Sequence, residues 1–225
     1  MKTTSAVVRL VAMVAVLGGA LFGLAGTFAW PAAWGYVAVV LAVIGVYALV
    51  VLPLHPELIE ERRHPPADAK RWDRPFVAAV GVLGPVALIV LSGLDRRHHW
   101  SPPVPAWIQI AGLAAGAAGG MLTNYAVAAN RFFSAIVRIQ RDRGHHVIDT
   151  GPYRFVRHPG YAGSIVYTLG TAVALGSRVA FLTIAVLSLV LVVRTALEDR
   201  TLQNELEGYT DYARRVRYRL LPGVW

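Results

Sequence analysis

Long runs without a charged residue dominate the first half of the chain. No Asp, Glu, Lys or Arg occurs between Arg9 and Glu57, and the stretch "GTFAWPAAWG" at residues 26–35 interrupts this run. Glycine and proline break helices, and tryptophan concentrates where a membrane meets water. We therefore predict two membrane-spanning helices, over residues 5–28 and 33–54.

Two further uncharged runs have the length of membrane spans. Residues 76–94 carry no charge, and a second apolar run lies within residues 105–130. At ~1.5 Å of rise per residue, about 20 helical residues cross the ~30 Å of a bilayer's hydrocarbon. These runs bring the predicted transmembrane helices to four.

The last apolar region predicts a helical hairpin. Residues 159–193 are apolar except for a break at "LGSR", residues 175–178, whose glycine and serine favour a tight turn. Beyond it the chain is rich in charge, with leucines at helical spacing at Leu197, Leu202 and Leu206. We expect the last hairpin helix to leave the membrane and an amphipathic surface helix to follow it.

These elements predict an all-α, polytopic integral membrane protein: four transmembrane helices plus a C-terminal helical hairpin, five or six membrane segments in all. We expect an N-terminal transmembrane hairpin at residues 1–55 and a single integrated core at residues 75–225. The composition agrees, since 56% of the 225 residues are hydrophobic and the mean hydropathy is +0.50. The chain has no cysteine, which excludes disulfides, a thiolate nucleophile and cysteine-bound metals.

The basic residues predict the topology. The net charge is +9, and 18 of the 22 Lys and Arg residues fall on one side of the predicted membrane, against 3 on the other. The side richer in Lys and Arg is normally cytoplasmic, so we expect an inner or plasma membrane protein with both termini in the cytoplasm. This distribution accounts for the charge without nucleic acid as a partner. We also expect residues 1–29 to remain as the first span, not to be cleaved as a signal peptide.

Small residues recur in the fourth predicted span. Gly112, Gly116 and Gly120 are four residues apart, a spacing that lets another helix approach closely. Tight helix packing is the favoured interpretation, and a groove lined by a ligand is the alternative.

The predicted hairpin brings two polar clusters together. Counting equal distances from a turn near Ser177 places Arg157 level with the end of the second hairpin helix, where Glu198 and Asp199 follow. Pro159 suits the first turn of a helix, and such a helix start attracts anionic groups. A ligand with both a carboxylate and an amine would suit this meeting place. The alternative is that these side chains only anchor helix ends at the membrane interface.

The same residues resemble a known family. The stretch "RHPGYAG", residues 157–163, is similar to the Arg-His-Pro-x-Tyr-x-Gly motif of the isoprenylcysteine carboxyl methyltransferase and phospholipid methyltransferase superfamily. The resemblance covers roughly residues 105–225, with further motif positions on both sides of that stretch: His145, Gly151, Tyr153, Glu198, Asp199, Leu202, Tyr209 and Tyr212. Asp199 stands where the family usually has a second glutamate.

The resemblance implies an enzyme that uses S-adenosylmethionine and acts at the cytoplasmic face. It implies a cofactor site formed by these residues: His145, Tyr153, Arg157, His158, Pro159, Tyr161, Gly163, Glu198 and Asp199. Within this set, Glu198, Arg157 and His158 are the candidate catalytic residues. It leaves His146 as an alternative to His145. No metal site is expected, because the adjacent pairs at residues 98–99 and 145–146 do not place two histidines on one helix face.

The methyl acceptor remains open at this point. We expect an amphiphilic or lipid-like acceptor, such as an isoprenylcysteine-type carboxylate on a small molecule or a lipidated substrate, reaching the site from membrane lipid. Five residues are candidates for lining its route: Asn124, Tyr125, Asn130, Arg131 and Arg194. The alternative for Asn124 is a hydrogen bond to a neighbouring helix. Methylation of a phospholipid amine or a small thiol is an alternative activity, and a non-catalytic carrier or assembly protein is an alternative of another class. The oligomeric state is not indicated.

Overall fold

The computed structural model describes residues 2–58 and 68–225, and its regular structure there is helical. We number the helices as follows: α1 Lys2–Ala25, α2 Pro31–Leu54, α3 Arg71–His98, α4 Ala106–Ala129, α5 Pro159–Leu175, α6 Ala180–Glu205 and α7 Tyr209–Arg215.

Two of these helices contain a wider turn. A π-helical turn at Tyr47–Val51 lies in α2 just before Pro53, and another at Ala79–Leu83 lies in α3 just before Pro85. Proline lacks the N–H that an α-helix needs at that position, and its ring crowds the preceding turn. A locally wider turn accommodates both effects without ending the helix.

Four of the described helices, α2, α3, α4 and α6, are long and apolar enough to cross a membrane. In α1 the apolar stretch Val14–Ala25 is shorter, and α5 has 17 residues. The expectation of an all-helical integral membrane protein is therefore confirmed. The four candidate spans differ from the four predicted ones, because α6 replaces α1 among them.

The predicted hairpin is present. Helix α5 ends at Leu175, Gly176 follows with a positive φ of 69°, and α6 begins at Ala180. The turn is fixed by Asp95 of α3, whose buried carboxylate accepts hydrogen bonds from the hydroxyls of Ser101 and Ser177.

The contact between α4 and α5 depends on glycine. A Cβ added to Gly112 would lie 2.5 Å from the backbone nitrogen of Ala174, and one added to Gly163 would lie 2.6 Å from the carbonyl oxygen of Gly119. The predicted close approach is confirmed for Gly112. Gly120 instead faces the side chain of Val43 in α2, and Gly119 takes its place against α5.

The first two helices share a hydrophobic cluster with the rest of the protein. Phe22 of α1, Tyr36 of α2, Ile89 of α3 and Leu175 of α5 belong to one buried cluster. The division into an N-terminal hairpin and a separate core remains a prediction.

Polar contacts collect at the end of the bundle opposite the hairpin turn. Lys70, just before α3, donates to Glu205 at the end of α6, with an N–O distance of 2.6 Å. Arg143, in the long segment of residues 130–158 between α4 and α5, donates to Glu57 beyond α2. This end therefore joins α2, α3, α6 and the long connecting segment.

Candidate active site

A pocket opens at this polar end of the bundle. Its walls are the connecting segment 130–158, the first turn of α5, the end of α6 and helix α7. The predicted site residues that line it are Asn130, His145, Tyr153, Arg157, His158, Tyr161 and Glu198. The convergence that the hairpin count predicted is therefore present in the structure.

Asp199 lies behind the pocket, where protein groups surround its carboxylate. The side chain is fully buried. Five side chains donate to it or approach it within hydrogen-bond distance: Arg157, His158, Gln203, Tyr209 and Arg219. The resemblance placed Asp199 among the cofactor-binding residues, but its oxygens are occupied by these partners and it is not among the lining residues. It holds the pocket wall together.

Arg157 is similarly engaged by the protein. Its Nε and Nη2 donate to the two oxygens of Asp199 at 2.7 and 2.9 Å, and its Nη1 donates to backbone carbonyls beyond α7, including those of Val216 and Arg217. A planar guanidinium suits such a forked arrangement. Because Arg157 also lines the pocket, its predicted place beside the cofactor stays a prediction, and the structure adds that it fixes the C-terminal segment to α6.

Glu198 is the acidic residue that faces the pocket. It is partly buried, and the hydroxyl of Tyr161 donates to its Oε2 at 2.5 Å. The ring of Tyr161 stacks on the ring of His158, with an interplanar angle of 4°. Glu198 and Asp199 thus diverge, since one is directed at the cavity and the other into the protein.

His145 forms the opposite wall and is neutral at physiological pH. Burial is the main cause that lowers its pKa from 6.5 to about 4, and the charge of neighbouring His146 and Arg138 acts in the same direction. Its Nδ1 accepts the backbone N–H of Gln140 at 3.3 Å. His146 lines the pocket as well.

Three tyrosines close the wall formed by α7. The hydroxyl of Tyr212 donates to the backbone carbonyl of Tyr153 at 2.8 Å, and Tyr209 donates to Asp199. Burial raises the pKa of all three phenols above the usual value, so they are neutral hydrogen-bond donors. The apolar spacing predicted for this region holds for Leu202 and Leu206, which pack with Tyr209 and Tyr212, but Leu197 is 38% exposed.

The remaining candidates lie in different places. Pro159 occupies the first turn of α5 as predicted, and Gly163 packs against α4, away from the pocket. Asn124 donates to the carbonyl of Val43 at 2.8 Å, the helix-to-helix bond given as its alternative. Tyr125 is exposed on α4, and the exposed Arg131 lies over the ring of Phe132.

Arg194 pairs with a residue that sequence reasoning missed. Its Nε and Nη2 each donate to Asp73 at 2.7 Å, and both side chains are buried. It was expected to line the route of the methyl acceptor. No local pattern reveals Asp73 as its partner, because 121 residues separate the two.

Comparisons with known proteins identify relatives of this chain. The model of the isoprenylcysteine carboxyl methyltransferase (ICMT) family matches residues 115–204, which contain most of the pocket. Protein-S-isoprenylcysteine O-methyltransferase B of Arabidopsis thaliana is 30% identical over 141 residues, 61% of this chain and 68% of that protein.

Other relatives match over shorter stretches. Protein-S-isoprenylcysteine O-methyltransferase A of the same plant is 30% identical over 44% of this chain and 47% of its own length. Protein-S-isoprenylcysteine O-methyltransferase of Rattus norvegicus is 30% identical over 49% of this chain and 40% of its own length. The chain thus spans less than half of these two relatives. The family match and the two-thirds coverage of the first relative show that this chain belongs to the isoprenylcysteine carboxyl methyltransferase family, a family of S-adenosylmethionine-dependent enzymes.

Proposed function

We propose that this protein transfers a methyl group from S-adenosylmethionine to the carboxylate of a lipophilic acceptor of the isoprenylcysteine type, in the pocket beside Glu198. The observation that carries the proposal is a half-buried carboxylate directed into a pocket whose walls are formed mainly by the family-matched residues. The names of the relatives support the choice of acceptor. Membership of an enzyme family sets aside the non-catalytic alternative.

The residues present fit the methyl donor. The donor carries an ammonium group and ribose hydroxyls, all of which donate hydrogen bonds, and Glu198 offers carboxylate oxygens to them. Neutral His145 and the amide of Asn130 offer further polar contacts, while Phe132 and Ile148 provide apolar walls. The enclosed part of the pocket is small, with a cavity volume of about 90 Å³, so the fit is one of side-chain chemistry.

The reaction needs alignment more than proton transfer. When bound, the donor supplies a methyl group on a positively charged sulfur: the carbon–sulfur bond breaks as an oxygen–carbon bond forms, and the electron pair stays on sulfur. A carboxylate is already ionised at neutral pH, so no base is required to activate it. The protein contributes orientation, which rigid walls provide best. Arg157 and Asp199 act here as positioning residues, because they fix His158, α7 and the C-terminal segment around the pocket.

The acceptor's route and the side of the membrane belong to the same proposal. Tyr125 is 55% exposed at the end of α4, and Asn130, one turn beyond it, lines the pocket. These positions suit the entry of a lipid-borne group from the bilayer. The pocket lies at the end of the bundle that carries most of the basic residues, which supports a site at the cytoplasmic face. In the proposed topology, helices α1 to α6 all cross the membrane, and both termini lie in the cytoplasm.

Donor binding tests the site directly. Glu198→Gln removes the charge that would pair with the donor's ammonium group, and we expect it to weaken the binding of S-adenosylhomocysteine by about tenfold or more. Glu205→Gln is the matched control, since Glu205 lies two turns further along α6 and pairs with Lys70 outside this pocket. Calorimetry in lipid nanodiscs measures both variants. Equal affinity in both would contradict the assignment of Glu198.

A further inference from the structure

A buried ion pair lies next to the pocket and connects three elements. Asp73, at the start of α3, and Arg194, in α6, are 0% and 5% exposed. Two parallel bonds of 2.7 Å join the carboxylate to the guanidinium. Neither residue is among those that line the pocket. Burying two charges costs free energy unless further hydrogen bonds satisfy them.

Those further bonds run to the wall of the pocket. Oδ2 of Asp73 accepts the backbone N–H of Val137 at 2.8 Å, and Nη2 of Arg194 donates to the carbonyl of Ala135 at 2.8 Å. The backbone N–H of Lys70 also donates to the carbonyl of Val137. Residues 134 and 136–138 line the pocket. The ion pair therefore fixes the backbone of this wall at Ala135 and Val137, on both sides of Ile136.

The ion pair also reaches Glu198 through Tyr161. The guanidinium carbon of Arg194 lies 5.1 Å from the centre of the Tyr161 ring, in cation–π geometry. The hydroxyl of Tyr161 donates to Glu198, the carboxylate directed into the pocket. Arg194 is therefore one of the contacts that position Tyr161 against Glu198.

We infer that Asp73 is a positioning residue of the methyl-donor site, which acts through Arg194 on two parts of the pocket: the wall at residues 134–138 and the Tyr161–Glu198 pair. The inference rests on the proposed function. Asp73 lies outside residues 115–204, so α3 supplies to the site a group that the family match does not contain.

Asp73→Asn is the direct test. The asparagine amide keeps one oxygen that can accept a hydrogen bond, but its NH₂ group replaces the other oxygen. That NH₂ group would face either the guanidinium of Arg194 or the backbone N–H of Val137, both of which are also donors. We expect the dissociation constant for S-adenosylhomocysteine to rise by about tenfold or more, because the wall and Glu198 move. In steady-state assays, we expect the KM for the methyl donor to rise by a similar factor while the KM for the acceptor changes little.

Asp95→Asn is the matched control. Asp95 is a buried carboxylate of the same helix, but it binds Ser101 and Ser177 at the opposite end of the bundle. Both variants are expected to lower the midpoint of thermal unfolding, and only Asp73→Asn is expected to weaken donor binding. A loss of stability in both with unchanged donor affinity in Asp73→Asn would overturn the inference, since the role would then be structural alone.

A second variant covers the case in which Asp73→Asn does not fold. Arg194→Lys keeps the positive charge but lacks the planar fork that reaches Asp73 and Ala135 together and stacks on Tyr161. We expect the same loss of donor affinity, and normal affinity in folded Arg194→Lys protein would overturn the inference. If the wild-type protein does not bind S-adenosylhomocysteine, the proposed function fails; if it binds and these variants bind equally well, the inference alone fails.

Discussion

At the scale of single residues, Glu198 and Asp199 are neighbours in the sequence but point in different directions. Glu198 faces the pocket, whereas Asp199 is buried among five protein partners. The sequence indicates that both meet Arg157, because the hairpin count places them at one depth. It does not indicate which of them faces outward, since a rotation of about 100° per residue along α6 decides that.

The charge of His145 predicts a pH dependence of stability. Its pKa is about 4 in the folded protein and 6.5 as the ordinary value. Between these values the unfolded chain takes up a proton that the folded protein does not, so stability falls as the pH drops from about 6.5 to about 4. Thermal unfolding of wild type and His145→Asn at several pH values measures this contribution. A wild-type slope equal to that of the variant in this window would contradict the buried, neutral histidine.

At the scale of elements, helix order was predictable but helix irregularity was not. Uncharged runs predicted α2, α3, α4 and the α5–α6 hairpin, because hydrophobic length and glycine or proline breaks are local signals. The π-helical turns in α2 and α3 follow from Pro53 and Pro85, which the apolar pattern alone does not distinguish from a regular helix. The contact between Asp73 and Arg194 depends on how α3 packs beside α6, which no local pattern encodes.

The glycines of α4 provide a prediction at this scale. A Cβ at Gly119 would lie 2.6 Å from the carbonyl oxygen of Gly163, whereas a Cβ at Gly116 would meet its nearest atom at 3.8 Å. We expect Gly119→Ala to separate α4 from α5 and to lower the midpoint of thermal unfolding by several degrees. Gly116→Ala, in the same helix, should be neutral or should stabilise the protein by about 1 kcal/mol, because alanine favours helix. Equal midpoints for the two variants would contradict the described packing.

At the scale of the whole molecule, the structure separates a polar end from the end that carries the hairpin turn. The pocket and the pairs Lys70–Glu205 and Arg143–Glu57 lie at one end, and the Asp95 cluster lies at the other. The count of basic residues predicted such an asymmetry, because charge placement along the chain is visible without a structure. The interlocking of Arg157, Asp199 and the segment beyond α7 depends on tertiary packing, which charge placement along the chain does not reveal.

The proposed topology is testable because the chain has no cysteine to interfere. Pro102→Cys places a thiol at an exposed position near the hairpin turn, and Asn204→Cys places one at an exposed position near the pocket. We expect a membrane-impermeant thiol reagent to label Pro102→Cys in intact cells and to label Asn204→Cys only after permeabilisation. The reverse pattern would place the pocket on the outer side.

The central claim is methyl transfer to a carboxylate, and one measurement tests it most directly. Purified protein in lipid nanodiscs is incubated with S-adenosylmethionine carrying a radiolabelled methyl group and with an N-acetylated, S-prenylated cysteine as acceptor, and the product is then treated with mild base. The account predicts label in the acceptor that base releases as volatile methanol, because methyl esters hydrolyse, and no label in the matched carboxamide. Label that resists base, as in an N-methyl or S-methyl product, or equal labelling of the carboxamide, would contradict it.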